Sequence, residues 1–386
     1  MKILFTGGGT GGHIFPLVAI CREIRKIYSV KGRGPNGTLR PQEDLQLLYI
    51  GPKDPFGEFL LSQEGVTVKS IFAGKLRRYI SPLAILQNFI DIFLKFPIGF
   101  LQAVFYVFFL APDLVFSKGG YGALPLVLSA WLLQTPIFLH ESDITPGLSN
   151  KIASKFSLII FTSFSETEYF PLERMVLVGN PIRRELLSGS SEEARGTFQL
   201  TGEKPVILIF GGSQGAQKIN DLVLAILPEL LRNFEIIHQA GEQNFKQVLA
   251  EAKVVLLPEQ LKYYHIFPFL EERELSHAYS ISHLIISRAG SGSIFEIAAA
   301  GKPSILIPLS LAAQNHQLKN AYLYSRFKTC VVMEETNITP RFFLGKLKYL
   351  LSHQRELEDM GNQAKEFSKP EAGRMIARHI IDYLFR

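Results

Sequence analysis

The chain is poor in the residues that build covalent or metal-bound frameworks. Its 386 residues contain two cysteines, Cys21 and Cys330, too few for a disulfide scaffold, and their scarcity fits a reducing compartment. Metal-ligand spacing of His and Cys is absent, and no Asp-x-Asp pair accompanies a glycine loop. The net charge of +6 comes without any Lys/Arg tract or interleaved aromatic platform. Nucleic acid is therefore excluded as a partner, and an anionic membrane surface or phosphorylated substrates remain. Met1-Lys2 runs straight into a strand, so no signal peptide and a cytosolic protein are expected. A clean membrane span is missing too. Phe96 to Pro112 carries no charge over 17 residues but includes Pro97 and Gln102, and Asn88, Asp91 and Lys95 interrupt the apolar sequence upstream. With 47% hydrophobic residues and a mean hydropathy of +0.15, contact with something apolar is expected nonetheless. The expectation is a buried helix plus a membrane-facing amphipathic surface between Lys75 and Leu110, with Lys75, Arg77 and Arg78 as basic anchors.

What the chain has is glycine where strands end. In MKILFTGGGTGGHIFP, a short strand (Ile3-Leu4-Phe5) enters five glycines between Gly7 and Gly12, and His13 and Pro16 follow. Glycine lets the backbone turn sharply and present its N–H groups, and the following helix points its positive end at an anion. Gly7-x-Gly9-x-x-Gly12 also fits a dinucleotide fingerprint, but the second strand (Leu45 to Ile50) ends in Ile50-Gly51-Pro52 with no acid to hold a ribose; the nearest, Asp54, lies in the loop beyond. His13 would begin a helix, where the dipole disfavours the cation, so a neutral imidazole able to act as a base is expected at the mouth of the loop.

A chain of this length points to two domains. Strands alternate with helical stretches, the pattern of a parallel sheet covered on both faces. They are expected at 2–6, 45–50, 66–72, 113–117, 136–140 and 158–162, and in a second set at 175–178, 205–210, 235–239, 253–257, 283–287 and 304–308. Residues 31–44 are polar and rich in Gly and Pro, and read as a solvated loop. The halves echo each other. Phe5-Thr6-Gly7-Gly8-Gly9 returns as Ile209-Phe210-Gly211-Gly212-Ser213, and Ser117-Lys118-Gly119-Gly120-Tyr121-Gly122 returns as Ser287-Arg288-Ala289-Gly290-Ser291-Gly292. The fold class is α/β: two Rossmann-like, doubly wound domains facing an inter-domain cleft, 1–165 and 166–386, with a turn at Gly179-Asn180-Pro181 joining the halves.

Polar residues gather where the strands would deliver them. His140-Glu141-Ser142-Asp143 follows a strand, and Pro146-Gly147 turns the chain into Asn150. Gly211 to Ala216 repeats the phosphate-loop pattern with Ser213 as a hydroxyl donor. Ser287 to Glu296 places small residues at a helix start, with Glu296 a turn in, where it could chelate a ribose diol or cap the helix. Gln314-Asn315-His316-Gln317 and Asn320 are suited to sugar hydroxyls.

Taken together, GGGTGGHIFP (7–16), SKGGYGALP (117–125), HESDITPGLSN (140–150), GNPIR (179–183), FGGSQGAQKIN (210–220), SRAGSGSIFEIAAAGKPSILIP (287–308) and HQLKNA (316–321) resemble the MurG family of bacterial N-acetylglucosaminyltransferases. The resemblance implies a GT-B fold whose final helix packs back on the N-terminal domain. It implies inverting transfer of N-acetylglucosamine from UDP-N-acetylglucosamine to lipid I, forming lipid II for peptidoglycan. No cofactor and no obligatory metal are implied, and helix N-termini would stabilise the leaving diphosphate. The place of work would be the cytoplasmic face of the inner membrane, bound peripherally to an anionic surface, with a cell-wall synthesis complex as a further partner. By position, His13 and Glu141 would be catalytic, with His13 favoured as the base and Glu141 orienting or assisting. Donor contacts would fall to Thr10, Gly11, Gly12, Asp143, Arg183, Gly212, Ser213, Gln214, Leu270 near uracil, Ser291, Gly292, Ser293, Glu296 on ribose, and His316 and Gln317 on the sugar. Gly8, Gly9, Gly119, Gly120, Tyr121 and Gly122 would hold the acceptor. Glu141-Ser142-Asp143 stands where the family often has Glu-Gln-Asn, and Ser293 where threonine is usual. Three rivals remain: a glycosyltransferase of the same fold acting on diacylglycerol or another polyprenol, a nucleotide-sugar binder without catalysis, and the nicotinamide enzyme disfavoured above.

Overall fold

The computed structural model describes residues 1–9, 11–31, 45–75, 77, 81–167, 169–212, 215–310 and 315–385. The surface loop expected at 31–44 lies, beyond Lys31, outside the described residues, as do Thr10, Arg78, Ser213 and Gln214.

Short apolar runs bounded by glycine and joined by helices leave the chain little choice but parallel pairing, because each helix carries the backbone back to the edge where the last strand began. The first unit comprises Met1–Arg183 and Glu371–Arg386. Its strands are β1 (Lys2–Thr6), β2 (Gln46–Gly51), β3 (Thr67–Ser70), β4 (Leu114–Ser117), β5 (Ile137–Glu141), β6 (Ile159–Thr162) and β7 (Met175–Leu177). They form one parallel sheet in the order β3-β2-β1-β4-β5-β6-β7. Every residue of β4 and β5 is buried, as expected of strands covered on both faces. The order reverses between β1 and β4, where Phe5 pairs with Phe116 and Thr6 with Ser117, and open sheets of this kind bind ligands at such a switch point.

The division at residue 165 is corrected here. Residues 175–177, assigned by pattern to the second half, hydrogen-bond in parallel to β6, so the first unit runs on to Arg183. Helix Ala372–Leu384 also belongs to it, placing Ile376, Ala377, Ile380 and Ile381 in one core with Ile14, Leu17, Cys21 and Ile24 of helix Gly11–Lys31.

The apolar stretch becomes a continuous helical run, Pro82–Leu110, started by the Ser81 hydroxyl accepting from the Ala84 amide. It is not the buried helix expected. Gly99 and Ala103 let one narrow stripe approach the domain, Gly99 lying against the Phe72 carbonyl, while Leu83, Ile85, Phe89, Phe93, Leu101, Phe105, Phe108 and Phe109 are exposed. Mid-run, Asp91 is buried and pairs with Arg77 at 2.6 Å and Lys95 at 2.6 Å. Arg77, expected as a free basic anchor, is thus tied to Asp91.

The second unit, Arg184–Pro370, holds β8 (Val206–Phe210), β9 (Glu235–Gln239), β10 (Tyr264–Phe267), β11 (Leu284–Ser287), β12 (Ser304–Leu306) and β13 (Cys330–Val332). Their order is β10-β9-β8-β11-β12-β13, with the reversal between β8 and β11. The strand expected at 253–257 is absent. Helix Phe245–Val255 runs through it, since Val248 and Ala252, four apart, bury one helical face and Val254 points to solvent. The third strand is Tyr264–Phe267 instead, paired with β9.

Candidate active site

In the first unit three strand exits meet. The β1 loop is held by Tyr49, whose hydroxyl donates to the Gly7 carbonyl at 3.3 Å. The β4 loop turns through Gly119 (φ +84°) and Gly120 (φ +85°), a left-handed backbone that side chains rarely adopt. A methyl group on Gly120 would lie 3.0 Å from both the Gly8 backbone and His13 Nε2. The two glycine loops therefore touch, with the imidazole of His13 against both. Tyr121 is half-buried beside them, and Gly122 fits against Pro52 and the Gly7 carbonyl. Gly9 passes Asp54. Gly11 is buried and Gly12 exposed at the helix start.

Burial, and after it the positive charge of Lys118, pushes the His13 imidazole down to about 3. His13 is thus a neutral ring at physiological pH. Glu141, the last residue of β5, is buried and uses both oxygens: Oε1 accepts from the Asp143 amide at 2.9 Å and Oε2 from Asn150 Nδ2 at 2.8 Å. Burial, then the Asp143 carboxylate, pushes Glu141 up to about 7, while Asn150 and Lys118 pull the other way. Gly119 is seated directly on the Asn150 side chain, so Asn150 links the β4 and β5 exits. His140 donates from Nε2 to the Gly179 carbonyl at 3.0 Å, and burial keeps its ring neutral. The Arg183 guanidinium stacks 3.9 Å from the Phe15 ring centroid.

In the second unit Gly212 (φ +90°) turns the β8 loop with open space where a side chain would stand. Its carbonyl accepts from Gln239 Nε2 at 3.2 Å, and Gln239 Oε1 accepts from the Leu270 amide at 3.0 Å. Gln239 thereby fixes buried Leu270 relative to the glycine loop. Helix Ser291–Ala299 starts just past β11 with Gly290 at its cap. Among the described residues the buried Ser291 hydroxyl has no hydrogen-bond partner, at a helix end that favours anions. Gly292 and Ser293 follow on the first turn, and Glu296 accepts from the Tyr279 hydroxyl at 3.2 Å. His316 opens helix His316–Arg326, and Gln317 Oε1 accepts from the Leu309 amide at 3.0 Å.

Within the first unit the structure thus gathers Gly8, His13, Gly119, Gly120, Glu141 and Asp143. Within the second it sets Gly212, Leu270, the Ser291 helix end and Glu296 along the β8 and β11 exits. Two groups escaped attention as site residues. Lys118 is buried beside β5, its Nζ donating to Ser142 Oγ. Arg288, at the matching place in the second unit, is buried against Glu335 at 2.7 Å. Their common signal is a cation directly after the serine that ends each strand, Ser117-Lys118 and Ser287-Arg288.

Comparison with known proteins places these motifs. Profiles described as the Glycosyltransferase family 28 N-terminal domain and C-terminal domain match residues 3–162 and 206–376. The chain is 35% identical over 385 residues, 99% of both sequences, to UDP-N-acetylglucosamine–N-acetylmuramyl-(pentapeptide) pyrophosphoryl-undecaprenol N-acetylglucosamine transferase 2 of Bacillus cereus. It is 35% identical to the corresponding transferase of Clostridium tetani over 94% of each. The crystal structure of Acinetobacter baumannii MurG superposes with a TM-score of 0.71 at 24% identity, covering 99% of both chains.

Proposed function

The chain belongs to glycosyltransferase family 28 and has its GT-B fold, and from that premise we propose that it transfers N-acetylglucosamine from UDP-N-acetylglucosamine to undecaprenyl-pyrophosphoryl-N-acetylmuramyl-pentapeptide, forming lipid II. The observation that carries the reading is the cluster of the first unit: a neutral imidazole enclosed by two glycine loops beside a buried carboxylate.

The second unit takes the donor. Amides at the start of helix Ser291–Ala299, with the Ser291 hydroxyl, receive the diphosphate and stabilise the charge that grows on UDP as it leaves. By the family resemblance Ser213 and Gln214 also serve the donor, Glu296 holds the ribose, Leu270 packs near uracil, and His316 and Gln317 hold the sugar. The family resemblance assigns Arg183 to the nucleotide. The diphosphate is neutralised by helix ends and amides, with no obligatory metal. The family resemblance assigns Thr10, Gly11, Gly12 and Asp143 to the donor. The first unit takes the acceptor, whose pyrophosphate lies along Gly8, Gly9 and Gly119 to Gly122. The acceptor hydroxyl attacks the anomeric carbon opposite UDP, its proton passes to His13, and the bond to UDP breaks with inversion. Burial and Lys118 hold His13 unprotonated before substrate arrives; the acceptor's phosphate charge then raises its basicity. Glu141 orients the acceptor as a carboxylate. The exposed apolar side of Pro82–Leu110, with Lys75 nearby, rests on the cytoplasmic face of an anionic membrane where the acceptor's lipid tail remains.

Transfer of radiolabelled N-acetylglucosamine from its UDP conjugate to a short-chain lipid I analogue, with EDTA present, tests the reading. Label in the lipid product is expected. Absence of transfer with normal UDP-N-acetylglucosamine binding would overturn the acceptor assignment, and transfer to diacylglycerol alone would redirect it.

A further inference from the structure

Lys118 touches neither substrate in the transfer as set out above, yet it is 2% exposed. An ammonium so deeply buried is strongly unfavourable unless acceptors and opposite charges surround it. Its Nζ donates to Ser142 Oγ, and Ser142 stands between two acids. The amide of Asp143 donates to Glu141 Oε1 at 2.9 Å, which brings Asp143 close to the Glu141 carboxyl. Two such acids repel unless a cation faces both. The titratable groups that feel Lys118 are Glu141 and Asp143 on the β5 exit, His13 on the first helix and His140 within β5; both histidines are neutral and burial pushes the Lys118 ammonium down to about 8, so below that pH Lys118 is the cation of this set.

We propose that Lys118 is a positioning residue for the transfer: seated on Ser142, it is the counter-charge that lets the Glu141 and Asp143 carboxylates stand side by side at the end of β5. The inference rests on the function proposed above. It also fits Asp143 standing where the family often has asparagine, since an added acid here needs a cation facing it. Burial and then Asp143 push the Glu141 carboxyl up to about 7, and Lys118, after the Asp143 amide and Asn150, opposes that rise.

The test compares kcat/KM from pH 5 to 10 for the full chain and for Lys118→Met, Lys118→Arg and the double variant Lys118→Met/Asp143→Asn. Lys118→Met is expected to move the acid limb up, as loss of an opposite charge within reach should, with turnover regained at alkaline pH. Lys118→Arg leaves the limb in place, and removal of Asp143 in the double variant brings it back. A folded Lys118→Met protein with an unmoved limb, or Lys118→Arg shifting as far as Lys118→Met, overturns the inference. Should Lys118→Met not fold, recovery of folding in the double variant supports the inference, and a double variant equally unfolded overturns it. The Glu141 titration is also read without turnover, by infrared difference spectroscopy against Glu141→Gln. A wild-type protein that transfers no sugar would thus overturn the proposed function, while this titration still decides the counter-charge role.

Discussion

The imidazole of His13 lies against Gly8, so that a single methyl group there would sit 3.0 Å from Nδ1 and Cε1. That distance is tighter than a relaxed contact allows, and the ring would have to move. Gly8→Ala is therefore expected to lower kcat by about 10²-fold through misplacement of the base. His13→Ala should lower it about 10²- to 10⁴-fold. Binding of UDP-N-acetylglucosamine, measured by calorimetry on both variants, is expected to stay close to wild type. A Gly8→Ala enzyme with full turnover would show that the ring position is not critical.

The acid side of the pH profile should belong to Glu141. Its carboxyl is pushed up to about 7, so the active carboxylate is lost as pH falls through that value, and kcat/KM should drop about tenfold per unit below it. His13, held near 3, contributes no limb in this range. Glu141→Gln should be slow and flat between pH 5 and 8. An unchanged limb in that variant would assign the titration elsewhere.

Glu296 touches the nucleotide in this reading and not the reacting centre. Its partner Tyr279 holds the carboxylate by one hydrogen bond at 3.2 Å. Glu296→Ala should raise the KM for UDP-N-acetylglucosamine by about tenfold, the loss of roughly 1.4 kcal/mol of binding, with little change in kcat. Steady-state kinetics at saturating acceptor separate the two parameters.

The apolar side of Pro82–Leu110 offers a separable test. Phe105 and Phe109 are exposed at 57% and 67%, with ring centroids 4.5 Å apart. Replacing both with Glu should abolish sedimentation with anionic phosphatidylglycerol vesicles while sparing turnover of a water-soluble acceptor analogue. Vesicle binding that survives the change would place the membrane contact on another face.

Asp91 ties that helical run to the segment before it through Arg77 and the Lys75 amide, and pairs with Lys95 one turn further along the run. Asp91→Asn leaves the two cations without their carboxylate and should reduce stability by about 1–3 kcal/mol in chemical denaturation. Although burial opposes it, Lys95 and then Arg77 hold the Asp91 carboxyl below its usual range. The sign follows: this stabilisation is present above the unfolded carboxylate value, near pH 4, and is lost as pH falls through the depressed folded value. The stability difference between wild type and Asp91→Asn should accordingly narrow in acid.

Much of this was readable because glycine carries its reason in its chemistry. Gly119, Gly120 and Gly212 occupy left-handed backbone that other residues avoid, so clusters after apolar runs marked the strand exits. The alternation of elements gave the parallel sheets for the same kind of local reason. Misreadings arose where two structures satisfy one pattern. Lys253 to Leu257 has the pattern of a strand, but the upstream helix continues into it as far as Val255. Residues 175–177 look alike whichever sheet they join, and only pairing with β6 decides. Phe96 to Leu110 has the composition of a buried helix, and periodicity does not say whether its faces meet protein or solvent. Lys118 was overlooked because its meaning depends on Glu141 and Asp143, which the chain brings near only after β5 is in place.

The first unit is interrupted in the order of synthesis. Helix Ala372–Leu384, which completes the core around Ile14, Leu17 and Ile24, is made only after all of Arg184–Pro370. At about 5–20 residues per second on a ribosome, that interval lasts on the order of ten to forty seconds. Throughout it, the newborn domain shows the greasy flank of its first helix as well as Pro82–Leu110. A nascent chain in that condition is a natural client for chaperones or for early capture at the bilayer, and a stop codon just before residue 371 would leave the first domain permanently unfinished while the second could still fold.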